Sequence, residues 1–179
     1  MMRRGLVWMV LVWLVGGCMK PLDFGQVKDF KAEPVWTIDL FYSYLAGSDF
    51  YEGSVPVMEV HDTIPFEIFT NRVVRDGLKR MLIYFDVTNP FPASFEFEVE
   101  FLDGYNTVRQ AESGIIRAAS ENSPSHEEFV IEINKEEHPD IVLTRRLHLR
   151  LSRLDSTDIR RAPGYLTIRS KGDFFMVIQ

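Results

Sequence analysis

From Pro34 onward, apolar and polar residues alternate with a period of two rather than 3.6, and that period predicts strands with one buried and one solvated face. Residues 94 to 102 carry it most clearly, with Phe95, Phe97, Val99 and Phe101 alternating with Glu96, Glu98 and Glu100. Met81, Ile83, Phe85 and Val87 alternate in the same way one segment earlier, and Pro90 and Pro92 forbid that segment's continuation as a central strand. Phe129, Ile131 and Ile133 are expected to face inward against Glu128, Val130 and Glu132. Leu147, Leu149 and Leu151 alternate with Arg146, His148, Arg150 and Ser152. Near the end, Leu166 and Ile168 precede Ser170-Lys171-Gly172-Asp173, which reads as a turn, and residues 174–178 read as a last strand. One solvated face per strand is the antiparallel pattern.

The turns agree. Asp103-Gly104 follows the strand ending at Leu102 and is a strong hairpin signal, so residues 105–111 are expected to return antiparallel. Residues 35–45 and 55–70 add apolar material of mixed period, broken by Gly47, Gly53, Pro56 and Pro65. Helix is confined at most to short turns near residues 71–79, 135–140 and 156–161, and the polar run 118–127 with Pro124 reads as a loop. The expected fold is all-β: an immunoglobulin-like or related antiparallel β-sandwich of about eight strands, occupying residues 34–179.

The N-terminus follows a different rule. Arg3 and Arg4 precede an apolar run from Leu6 to Val15, which ends in Gly16-Gly17-Cys18. A basic start, an h-region of about ten residues and small residues before a cut point make a secretory signal. The run falls short of the about 20 apolar residues that span a bilayer. Leu14-Val15-Gly16-Gly17-Cys18 resembles the lipobox of bacterial lipoproteins. That resemblance implies a signal peptide over residues 1–17, cleavage after Gly17, and a lipid on Cys18 as the only covalent addition, with residues 18–33 as a tether. Within the tether, Phe24, Val27 and Phe30 are spaced for an irregular edge strand. Several acyl chains would hold the protein at a membrane, each buried CH₂ contributing about 0.8 kcal/mol. The residue after the cysteine is Met19 rather than Asp, which by the same resemblance favours the outer membrane and leaves open which side the domain faces.

Composition sharpens this picture. Removing Arg3 and Arg4 with the leader leaves 18 basic residues against 26 acids, a balance of −8. So acidic a protein lacks the basic footprint of a nucleic-acid binder. Cys18 is the only cysteine, so no disulfide forms within the chain and the sandwich relies on its own core.

Candidate chemistry is sparse. His61, His126, His138 and His148 lack the spacing of a metal motif, so no metal ligand and no cofactor is expected. Ser123-Pro124-Ser125-His126 contains the letters of a hydrolase without a nucleophile elbow, and no catalytic residue is assigned. Glu96, Glu98 and Glu100 stand about 7 Å apart on one face of a strand. The simplest reading sets them against Arg146, His148 and Arg150 of another strand as a solvated ladder of opposite charges. Aromatic residues cluster early in the mature chain, at Trp36, Phe41, Tyr42, Tyr44, Phe50 and Tyr51. Trp36, Tyr42, Tyr44, Tyr51 and the terminal Phe174 are the candidate partner contacts.

The layout as a whole is similar to small lipoproteins of the Bacteroidota type. It shares a lipobox leader, a short acidic tether, a β-rich body, a strand ending near Thr88-Asn89, and a terminal Arg-Ser-turn-Phe-Phe hairpin over residues 169–178. The resemblance implies an envelope location and a β-sandwich, and no reaction. The function expected is that of a lipid-anchored, non-catalytic accessory subunit that binds another envelope protein. Contact would run through exposed aromatics, a loop tip or the free edge of a terminal strand over residues 174–178. A glycan-binding module is the alternative, and a hydrolase is less favoured.

Overall fold

The computed structural model describes residues 31–121 and 123–178, and residues 32–178 form one compact unit. The leader, Gly17, Cys18 and the tether through Phe30 lie outside the described residues. Among the described residues there are ten strands: β1 (Val35–Ala46), β2 (Tyr51–Glu52), β3 (Val55–Pro56), β4 (Glu59–Pro65), β5 (Leu78–Asn89), β6 (Phe95–Leu102), β7 (Val108–Ile116), β8 (Ser125–Asn134), β9 (Arg146–Arg153) and β10 (Tyr165–Met176). The one α-helix among the described residues, α1 (Arg72–Gly77), is a short turn before β5 whose start is capped by the Asn71 side chain accepting from Val73 N–H.

Eight strands build two four-stranded sheets, in the orders β1-β10-β5-β8 and β4-β9-β6-β7, while β2 and β3 form a small separate ribbon. The expected antiparallel sandwich is therefore present. Its pairings are nested: β1 with β10, β4 with β9, β5 with β8, β6 with β7. The chain behaves as one long hairpin, tipped at residues 103–107 and rolled over itself, which within the class of related sandwiches is the jelly-roll order. The chain enters where Ala32 exchanges backbone hydrogen bonds with Ile178, at 2.9 and 3.0 Å. The 103–107 tip and α1 belong to this same end, and the loops at 47–58, 90–94, 117–124 and 154–164 belong to the other.

The core follows from the alternation. Met81, Ile83, Phe85 and Val87 of β5 and Phe95, Phe97, Val99 and Phe101 of β6 are all buried, with Leu147, Leu149 and Leu151 of β9 beside them. Phenylalanine joins the layers: Phe85 and Phe97 meet across the sandwich at 5.0 Å between ring centroids, and Phe50 packs on Phe95 at 4.9 Å. β5 stops at Asn89, immediately before Pro90.

Two stretches differ from expectation. Ser125, His126 and Glu127, expected as the end of a loop, open β8 instead. Residues 170–173 make no turn, and the terminal hairpin over residues 169–178 is absent. β10 is a single strand of 12 residues whose inward positions run Leu166, Ile168, Ser170, Gly172, Phe174 and Met176 without a break. Ser170 and Gly172 are small because Phe41 and Phe85 flank one of them and the Phe174 ring overlies the other. Small inward residues imitate turn chemistry in the sequence.

Candidate functional site

The aromatic candidates separate once packing is known. Tyr42 and Tyr44 point outward from β1 and are 56% and 62% exposed. Tyr165 of β10, 57% exposed, joins them with its ring edge-on to Tyr44 at 5.7 Å, and Tyr42 lies 6.1 Å from Tyr44. Trp36 is partly exposed near the start of the same strand. Tyr51 instead holds the 154–164 loop in place. Its hydroxyl donates to Asp158 at 2.8 Å and accepts from Ile159 N–H at 3.0 Å, while the Arg160 and Arg153 guanidinium groups lie over its ring.

Phe174 is no partner contact. It is fully buried, and β10 sits between β1 and β5, so the last strand offers no free edge. Among the described residues the edges of that sheet are β8, paired only with β5, and β1, paired only with β10.

Beside Tyr42, β1 carries a bulge at Leu40, where its register against β10 slips by one residue. Bulges re-aim neighbouring side chains. A cleft of ≈ 570 Å³ lies here on the outer face of β1, β10 and β5. Two rungs of side chains line it. On one, Asp39, Lys171 and Tyr84 stand in register across the three strands; on the next stand Tyr42, Arg169 and Asp86. The second rung repeats the first in reverse order: acid, cation and tyrosine become tyrosine, cation and acid. In both, the cation sits over the ring, Lys171 5.0 Å from the Tyr84 centroid and Arg169 5.5 Å from that of Tyr42. Asp39 and Asp86 make no ion pair among the described residues. Burial, then the neighbouring Asp173 carboxylate, pushes the Tyr84 phenol above its usual value, so it stays a neutral donor.

The acids of β6 lie on the other sheet. Glu98 is opposite Arg150 of β9 and pairs with it, Glu100 is opposite His148, and Arg150 also approaches Glu59 of β4 at 3.8 Å. The expected ladder of opposite charges is present in part: Glu98 meets Arg150, but Glu96 stands opposite Ser152 and Arg146 opposite Leu102. His148 hydrogen-bonds Thr63 at 2.8 Å, and its ring lies 5.5 Å from that of His61, a pairing made only by the β4–β9 register. No group of three or more His, Cys, Asp or Glu among the described residues is arranged to hold a metal ion. His126 pairs with Thr88 at 3.0 Å, and the Ser125 hydroxyl donates to Glu127.

Tyr84, Asp86, Tyr165, Arg169 and Lys171 escape the sequence reading. Their signal was parity: each alternates with an inward residue of β5 or β10. An assumed turn at 170–173 breaks the parity that sets Arg169 and Lys171 on one face.

No family model and no curated sequence matches the chain. Solved structures do. A candidate secreted protein from Parabacteroides distasonis superimposes with a TM-score of 0.46 at 16% identity, covering 67% of this chain and 40% of that one. The VP2 subviral particle of infectious bursal disease virus gives 0.39 at 10% identity, covering 82% and 33%. Desmodium yellow mottle tymovirus gives 0.35 at 14% identity, covering 83% and 90%. The chain thus spans well under half the length of the first two.

Proposed function

We propose that this protein is an outer-membrane lipoprotein, processed after Gly17 and held by lipid on Cys18, whose sandwich binds another envelope protein without catalysing a reaction. The leader and Met19 support the anchor and its membrane. No helix among the described residues is long and apolar enough to cross a membrane.

The observation that carries the contact role is the edge of β1. An exposed sheet edge is a template for pairing and is ordinarily blunted by charges or proline. The other edges carry such guards: β8 has His126, Glu127, Glu128 and Glu132, β4 has Glu59, His61, Asp62 and Pro65, and β7 has Arg109 and Glu112. β1 runs 12 residues with Asp39 as its one charge and displays Trp36, Tyr42 and Tyr44. Such an edge suits an extended strand of a partner, its backbone supplying affinity and the aromatic side chains specificity. Since the chain enters at Ala32, Tyr44 stands at the far end of β1 from the point of entry, about 30 Å from Val35 by strand rise.

Affinity purification of the intact lipoprotein from gently solubilised membranes tests the reading. Specific partners are expected with the natural chain and lost with Tyr44→Lys, which guards the edge. Repeated recovery of the protein alone at native levels, or the same partners with Tyr44→Lys, sinks it. Cys18→Ser is expected to release the domain from the membrane fraction, and its retention there contradicts the anchor.

A further inference from the structure

The double rung on the outer face of β1, β10 and β5 has a chemistry that, Tyr42 apart, an edge contact does not use. We infer that this cleft binds a neutral saccharide. The six side chains of its two rungs comprise two carboxylates, two cations and two tyrosines, with no net charge to select an ionised ligand. The cations are engaged with the rings, and Asp39 and Asp86 make no ion pair among the described residues. Adjacent hydroxyls of a sugar suit this arrangement because each both donates and accepts. One hydroxyl donates to a carboxylate while its neighbour accepts from Arg169 or Lys171, and such charge-assisted bonds are the strong ones. Tyr42, more than half exposed, leaves ring surface for the apolar C–H face of the sugar.

Size agrees. Rungs two residues apart on β10 and β5 and three on the bulged β1, with strands about 4.8 Å from their neighbours, frame a patch of roughly 7 by 10 Å, the scale of one or two hexose rings. The ≈ 570 Å³ cleft falls among ordinary small-ligand sites. An added peptide strand does not fit, since β10 and β5 are already paired on both sides. A polyanion is opposed by Asp39 and Asp86 and by the acidic chain as a whole.

This inference goes beyond the edge contact and does not depend on it. The full-length chain, in a detergent without a sugar headgroup, is to be titrated with cellotriose, chitotriose, maltotriose and mannotriose and followed by saturation-transfer NMR and calorimetry. Binding of at least one is expected, weakened about tenfold by Asp86→Asn and by Tyr42→Ala. Asp86 lies on β5, away from the β1 edge, so failure of the cleft and failure of the edge are read separately. Absence of binding by all four to a folded chain overturns the inference, as does a saccharide whose affinity neither substitution changes.

Discussion

The ring of Phe174 lies where a side chain on Gly172 would be, with its Cε2 atom 2.8 Å from the position a β-carbon would take. The two residues are neighbours on the inward face of β10 and settle each other's size. Gly172→Ala is expected to destabilise by about 1–3 kcal/mol through overpacking. In a Phe174→Ala background the same change should cost almost nothing, because the contested space is vacated. Denaturant midpoints of the two single variants and the double variant measure this coupling.

Asn89 closes β5 and is fully buried with every side-chain polar group used. Its amide nitrogen donates to the Ala93 carbonyl at 2.8 Å and the Arg117 carbonyl at 2.7 Å, and its oxygen accepts from Phe91 N–H at 3.0 Å. It ties the 90–94 turn to the loop after β7. Asn89→Ala strands three backbone groups and is expected to cost about 2–4 kcal/mol. Thermal unfolding reads that loss, and hydrogen exchange should speed up first at Phe91.

The Glu98–Arg150 pair is the opposite case. Both side chains retain contact with water, so Arg150→Met is expected to change stability by less than about 1 kcal/mol. Whatever difference exists should shrink as salt is raised. A large, salt-independent loss would mean that the stripe on β6 and β9 does more than pair charges.

Acid stability has a defined direction. The Thr107 N–H, with Arg109 and the Tyr105 N–H, holds Asp103 below the usual carboxylate range against the opposing effect of burial. The Tyr51 hydroxyl and then the Arg160 N–H lower Asp158, while Arg72 and then Arg75 lower Asp76. Burial works to raise Asp155, but hydrogen bonds from Ser94 and Thr157 outweigh it. Each carboxyl is depressed relative to the unfolded chain, so its stabilising effect is fully present above the ordinary value of about 3.9 and is lost as pH falls through the lower folded-state value. Unfolding midpoints should therefore be insensitive to these groups from neutral pH down to about 4 and decline below it. Asp103→Asn should flatten that decline.

Sequence and structure divide along a physical line. By itself the sequence determined the strands, because burial against a common core repeats at period two whatever the partner strand, and Phe95 to Phe101 or Met81 to Val87 announce it. It also determined the charge ladder in outline, since Glu98 and Arg150 had to face water. Pairing was decided by tertiary structure. Which edge stays free, whether Phe174 is core or contact, and whether His61 meets His148 depend on registers between segments 80 or more residues apart, and local pattern contains no term for them. The Ser170 to Asp173 stretch marks the boundary. Locally it is turn chemistry; inside the sandwich Gly172 leaves room for the Phe174 ring and Ser170 fits between Phe41 and Phe85, and that continuity carries Arg169 and Lys171 to the outer face between Tyr42 and Tyr84.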